Sequence, residues 1–222
     1  MDNKKTIAGI PLFIMLLLNT FAVYAQSDPA AKSLLDKMSS TYKGYKAIEA
    51  TFSITATQAT QTATAYSQSG TVLIEPATGK YHITLDNQEM ISDGKSLWTI
   101  LKDVQEVQIT EADNSDVAVS PANIFSFYTN GYKYVSAPNE RVGNTSLLVV
   151  ELSPEDTHSP YYKIKLRIHP TSNLIQDVTV FDKNSTRYVY HIKNSNTKPT
   201  VSADSFTFQQ GRYPGLEIVD LR

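Results

Sequence analysis

Four histidines, a scatter of carboxylates and no cysteine are the side chains from which this sequence could build a reactive centre. Without cysteine, thiol catalysis and zinc–thiolate sites are excluded. His82, His158, His169 and His191 offer no pair at the i, i+4 spacing that sets two imidazoles on one helix face. Each lies in or beside an expected strand or turn, where a surface role is the default. Glu151 and Glu155 flank an expected turn, and the acidic run "EADNSD", 111–116, reads as a turn itself. Neither spacing defines a working carboxylate pair. There is no G-x-S-x-G elbow, no phosphate-binding glycine loop and no H-E-x-x-H run. Asn144-Thr145-Ser146 and Asn184-Ser185-Thr186 match the N-glycosylation pattern and read as polar turns. The residues therefore point away from an enzyme and call for no cofactor and no metal. The organised feature is apolar, so the elements must be read first.

The N-terminus reads as an export signal. Lys4 and Lys5 precede an apolar stretch from Ile7 to Leu18, and Val23-Tyr24-Ala25 fits a small-residue cleavage site. Residues 1–25 are expected to be removed, leaving 26–222 as one domain. The apolar stretch contains Pro11 and is shorter than the roughly 20 residues of a spanning helix. No cysteine stands at the cleavage site to carry a lipid anchor, and none is available for disulfides. An exported, soluble, monomeric protein of the bacterial periplasm is the expectation. Setting Asp2, Lys4 and Lys5 aside leaves 18 basic and 21 acidic residues, with no basic patch for nucleic acid.

Ser27-Asp28-Pro29 predicts a helix start, with a capping side chain before a proline suited to the first turn. Leu34, Leu35, Met38 and Tyr42 then recur at helical spacing, and Gly44 ends the element. From Tyr45 the period changes to two. Ile48, Ala50, Phe52 and Ile54 alternate with polar or small neighbours, as do Tyr81, Ile83 and Leu85. Tyr162, Ile164, Leu166 and Ile168 do the same, so that Lys163, Lys165 and Arg167 face the other way. Turn signals at 76–79, 86–87, 93–94, 142–144, 170–173 and 182–185 separate the runs. Together they predict an antiparallel meander of roughly ten strands. Ser120-Pro121 suggests the start of a short helix carrying Ile124, Phe125, Phe127 and Tyr128. The Thr-, Ala-, Gln- and Ser-rich stretch 55–70 predicts a hairpin with a weakly specified register.

A sheet with clean alternation has one apolar face that must be covered. Two short helices span only a fraction of a sheet this size. The strands can split into a sandwich, close into a barrel, or stay in one curled sheet whose hollow the helices partly lid. Periodicity alone leaves all three open.

An ordered series of segments resembles the outer-membrane lipoprotein carrier (LolA) family. The series runs through "ATFSI" (50–54), "GTVLIEP" (70–76), "KYHI" (80–83), "ISDGKSLW" (91–98), "SPANIFSFY" (120–128) and "DSFTF" (204–208). The Asp-Gly hairpin with a tryptophan at its exit is the most specific piece. The resemblance implies a mainly β fold: a curled antiparallel sheet forming an incomplete barrel, with short helices over its apolar concave face. It implies a periplasmic carrier that shelters lipoprotein acyl chains between the inner and outer membranes. The implied partners are acylated lipoproteins, an inner-membrane ABC-type extractor and an outer-membrane receptor.

On that resemblance, Phe52, Ile54, Leu73, Tyr81, Ile83, Trp98 and Ile100 are candidate wall residues, and Leu34, Leu35, Met38, Ile124 and Phe125 candidate lid residues. Ordinary packing is the alternative for each, including the chain's single tryptophan. At the rim, Glu75 stands where the family has a basic residue and Gly79 where it often has a bulky one; Lys80 is the candidate substitute cation. Two other readings stay open: a lipid-binding or lipoprotein-sensing relative, and a β-sandwich interaction or adhesin module.

Overall fold

The computed structural model describes residues 28–58, 64–112, 119 and 122–222. The expected leader, the tip of the first hairpin and the Ser120-Pro121 cap lie outside these residues. The chain opens with α1 (Pro29–Lys43). Asp28 caps it by accepting the Ala30 N–H at 2.8 Å, Pro29 occupies the first turn, and Gly44 ends it.

Six strands follow: β1 (Ile48–Gln58), β2 (Tyr66–Glu75), β3 (Lys80–Leu85), β4 (Gln88–Ser92), β5 (Ser96–Leu101) and β6 (Glu106–Glu111). After residues 122–131 come β7 (Tyr132–Val142), β8 (Thr145–Pro154), β9 (Tyr161–Ile168), β10 (Ile175–Asp182) and β11 (Thr186–Asn196). A last strand, β12 (Glu217–Asp220), runs parallel to β6, whereas every other pair is antiparallel. All twelve form one open sheet in the order β12-β6-β5-β4-β3-β2-β1-β11-β10-β9-β8-β7. It is two meanders joined where β1 pairs with β11. Neither a sandwich nor a closed barrel results, since β12 and β7 remain as edges.

The turns follow their residues. Asp93 accepts the N–H groups of Lys95 and Ser96, each at 2.8 Å, and Gly94 has φ +87°. That combination closes the β4–β5 hairpin. At Gly70, an added Cβ would lie 2.5 Å from the Thr84 carbonyl oxygen and 3.1 Å from the Phe52 ring. Glycine lets β2 pass under that ring.

Lys163, Lys165 and Arg167 do face away from Ile164, Leu166 and Ile168. They pair across strands with Glu151 (3.1 Å) and Glu140 (2.7 and 3.1 Å). Such half-exposed pairs contribute a few tenths to about 1 kcal/mol each.

Three expectations are corrected. Residues 122–129 form turns and a 3-10 turn (Phe127–Thr129) rather than an α-helix. The run is too short and too rich in aromatic and β-branched residues to offset helix nucleation, and its side chains bury without one. "DSFTF" forms turns, with Ser205 N–H bonded to the Ser202 carbonyl at 3.1 Å. Both edges of β1 are already taken by β2 and β11, so the closing strand forms later in the chain, on the free edge of β6. Tyr162 is exposed and Tyr161 buried, because a register shift opposite Phe181 and Asp182 breaks the alternation at the start of β9.

Candidate ligand-binding face

The sheet buries one face at its centre and on the β7 side, and the opposite face on the β12 side. On the first face, Phe52, Val72, Ile74, Ile83, Leu85, Val150, Leu152, Ile164, Leu166, Val178, Val180 and Ile192 form one cluster. Register places them in rows: Phe52 opposite Ile192, Val72 opposite Ile83, and Ile164 opposite Val180. Over this face lie Ala31, Leu35, Met38 and Tyr42 of α1, and Ile124, Phe125, Phe127 and Tyr128.

Polar ties fasten both ends of α1 to the sheet. Asp28 donates its N–H to the Tyr134 carbonyl (3.0 Å) and accepts the Ser136 N–H (3.0 Å), which fastens the start of α1 to edge strand β7. The Ser136 hydrogen bond, with those at the helix start, holds the Asp28 carboxyl below the usual range. At the other end, the Ile175 N–H donates to the Tyr42 hydroxyl at 2.8 Å. A register shift after Ile175 frees that N–H from the β9 ladder, and the phenol takes it up. The Tyr42 ring lies 4.7 Å from that of Phe125. Tyr190 donates to the Val119 carbonyl at 3.1 Å, and burial pushes its hydroxyl up to about 12. A pocket of about 390 Å³ opens beside α1, lined by Ala30, Leu34, Ala137, Leu148 and Val149 among others.

The candidate residues divide between the faces. Phe52 and Ile83 are buried on the α1 side, with Ile54 and Tyr81 partly buried against the same cluster. Leu35, Met38, Ile124 and Phe125 cover them, and Leu34 packs at the margin. Leu73 lies opposite Glu49 and His82, so its side chain is on the other face from Val72 and Ile74. Trp98 and Ile100 are also on that other face. Trp98 pairs with Ile91 and Ile109, and Ile100 with Val107, in a second cluster roofed by Phe208, Tyr213 and Leu216. The indole stacks on Phe208 (centroids 6.3 Å), which stacks on Tyr213 (5.4 Å). Trp98 therefore fastens the C-terminal segment to the back of the sheet. Glu75 and Lys80 are paired across the β2–β3 turn, on the face away from α1; Thr78 donates to the Glu75 carboxylate at 2.6 Å, and Gly79 takes φ +69°.

Val72, Ile74, Tyr190 and the hydroxyl role of Tyr42 escaped selection from the sequence. The first two lie in the unbroken apolar run Val72-Leu73-Ile74, which carries no parity signal. The tyrosines' hydroxyl partners lie far along the chain.

Each histidine has a local partner: Glu89 for His82 (3.4 Å), Asp156 for His158 (3.2 Å), Asp177 for His191 (2.6 Å) and the Thr171 N–H for His169 (3.3 Å). Among the described residues no group of three His, Asp or Glu side chains is placed to hold a metal ion. Among them, too, no helix is long and apolar enough to cross a membrane.

Comparison with known proteins agrees with this architecture. A search of curated proteins gave no match. A crystal structure of an uncharacterized conserved protein from Thermus thermophilus shares the fold at TM-score 0.59 and 8% identity, covering 86% of this chain and 99% of that one. A putative outer membrane lipoprotein-sorting protein domain from Vibrio parahaemolyticus aligns at TM-score 0.46 and 10% identity, over 80% of this chain and 97% of that one. The LolA superfamily protein NE2245 from Nitrosomonas europaea aligns at TM-score 0.44 and 15% identity, over 80% and 97%. The profile of the family described as outer membrane lipoprotein carrier protein LolA matches residues 43–209, most of the chain, and the protein belongs to that family.

Proposed function

We propose that this protein is a periplasmic, non-enzymatic carrier that shelters lipoprotein acyl chains between the α1-covered face of the sheet and its cover. The observation that carries the reading is the economy of that cover. Among the described residues, one 15-residue helix and an irregular segment lie over an apolar face built from most of the sheet. Such a cover can be displaced by apolar chains of comparable area. The need for shelter is large. At about 0.8 kcal/mol per CH₂, three acyl chains in water would cost on the order of 30 kcal/mol. Release is also served, because a broad apolar surface grips without fixed polar contacts. Phe52, Ile54, Tyr81 and Ile83 are the proposed wall, and Leu34, Leu35, Met38, Ile124 and Phe125 the proposed lid. Leu73, Trp98 and Ile100, on the opposite face, are not part of this proposed wall.

The test is displacement of an environment-sensitive apolar dye. The dye should bind saturably, and a triacylated lipopeptide should compete with it while the same peptide without acyl chains does not. Absence of competition would remove the carrier reading and leave an interaction module built on the same sheet. In the native cell, depletion should strand lipoproteins at the inner membrane.

A further inference from the structure

Away from α1, the ends of β1, β9, β10 and β11 enclose a pocket of about 500 Å³. Its lining includes Thr57, Tyr162, Phe181, Lys183, Ser185 and Arg187. Two features distinguish it. The first is aromatic. The register shift at the start of β9 turns Tyr162 outward, where it is 55% exposed. Its ring lies 6.1 Å from that of Phe181, over which the Lys163 ammonium sits at 4.6 Å.

The second feature is charge. The Arg187 side chain is exposed and has no hydrogen bond or ion pair among the described residues. Lys183 donates to the Thr157 carbonyl at 2.7 Å, and its ammonium lies close enough to Asp156 to help lower that carboxyl. Asp182 also lines the pocket, its carboxylate accepting the Asn184 N–H at 2.8 Å, so the lining holds two cations against one carboxylate, while Lys163 is paired with Glu151. An exposed phenol beside an unpaired guanidinium is a pairing that settles in a lipid headgroup layer: the ring takes the boundary and the cation takes phosphate.

We propose that this end of the sheet docks on the surface of an anionic bilayer, with Arg187 and Lys183 meeting lipid phosphates and Tyr162 and Phe181 resting at the headgroup boundary. The whole chain has a formal charge of −2, so attraction to an anionic surface must come from a local patch such as this one. The contact is independent of the α1-covered face and adds a membrane-facing end to the proposed carrier.

The test is flotation of the purified protein with phosphatidylcholine vesicles, with and without phosphatidylglycerol. Binding is expected only to the anionic vesicles, and it should fall as salt rises. Arg187→Ala should reduce partition roughly fivefold, the factor matching about 1 kcal/mol per basic residue near such a surface. Tyr162→Ser should also reduce it, Arg187→Lys should retain it, and Lys37→Ala on α1 should leave it unchanged. Unfolding midpoints of all variants should match the parent, since these side chains are exposed. No binding to anionic vesicles, or an equal loss from Lys37→Ala, overturns the proposal. So does full competition by millimolar glycerol phosphate, which would make the pocket a free-anion site. Dye displacement by lipopeptide should be the same for Arg187→Ala and the parent, so failure here is separable from failure of the carrier reading.

Discussion

Tyr42 shows how one side chain can serve both packing and polar accounting. Its ring lies in the apolar cluster, and its hydroxyl satisfies a backbone N–H that the β10 irregularity frees from the ladder. Tyr42→Phe keeps the ring and strands the N–H. Stability should fall by about 1–3 kcal/mol, read as a lower denaturant midpoint at unchanged slope. Gly70 makes the opposite case, a position defined by what cannot be there. A methyl at that site meets a backbone carbonyl, which cannot swing aside. Gly70→Ala should cost about 1–3 kcal/mol by overpacking, measured in the same way. The glycine at the head of "GTVLIEP" is visible in the sequence, but its reason is not. The Phe52 ring that crowds it is 18 positions upstream and meets it only after β1 and β2 pair. Leu73 teaches a related limit. In Val72-Leu73-Ile74 every residue is apolar, so alternation falls silent, and only pairing with Glu49 and His82 assigns the leucine to the back of the sheet.

Among the elements, the C-terminal segment departs furthest from what the sequence foretells. It brings Phe208, Tyr213 and Leu216 over Ile91, Trp98, Ile100 and Val107, then adds β12 to the edge at β6. Tyr213 also donates to the Glu89 carboxylate at 2.6 Å, while Lys102 pairs with the other oxygen at 2.9 Å. Burial pushes the Glu89 carboxyl up, but the hydrogen bonds from Tyr213, Lys102 and His82 outweigh it, and the net shift is downward. A carboxyl with a lowered folded value contributes stability above the ordinary carboxylate range and loses it as pH falls through the folded value. The segment should therefore loosen in acid, as pH falls below the ordinary carboxylate range. Trp98 reports this directly, being the only tryptophan and stacked on Phe208. Its emission should shift to the red on acidification, and Tyr213→Phe should move the transition to higher pH. Emission that stayed constant while the segment became protease-sensitive would separate the ring stack from the carboxylate network. The strands and their turns were legible because period two and Asp-Gly or Pro–Gly signals are local. The closing strand was not, because its place depends on which sheet edge remains free after the other eleven strands have paired.

At the scale of the whole molecule, the sheet changes its buried face at β4, where Met90 packs against the α1-side cluster and Ile91 belongs to the other. Through β1–β3 and β7–β11 it buries the side under α1; through β4–β6 it buries the side under the C-terminal segment. Alternation within a strand tells which residues travel together, but not which side will be covered. This is why alternation groups Phe52 with Ile54, Tyr81 with Ile83 and Trp98 with Ile100, but does not tell that the last pair faces away from the first two. The two clusters also give the molecule two semi-independent halves joined by continuous backbone hydrogen bonding. A ligand that displaces α1 should act on one and spare the other. Hydrogen exchange with and without triacylated lipopeptide tests this. Protection should change in α1, in residues 122–129 and near Ile175, whose N–H bond to Tyr42 must break when the helix lifts. Exchange across 204–220 should be unaltered, and Trp98 emission should not respond to the ligand. A ligand that instead protected 204–220 and shifted the Trp98 spectrum would place binding on the back of the sheet. The wall would then be Ile91, Trp98, Ile100 and Val107, and α1 would be a fixed structural cover.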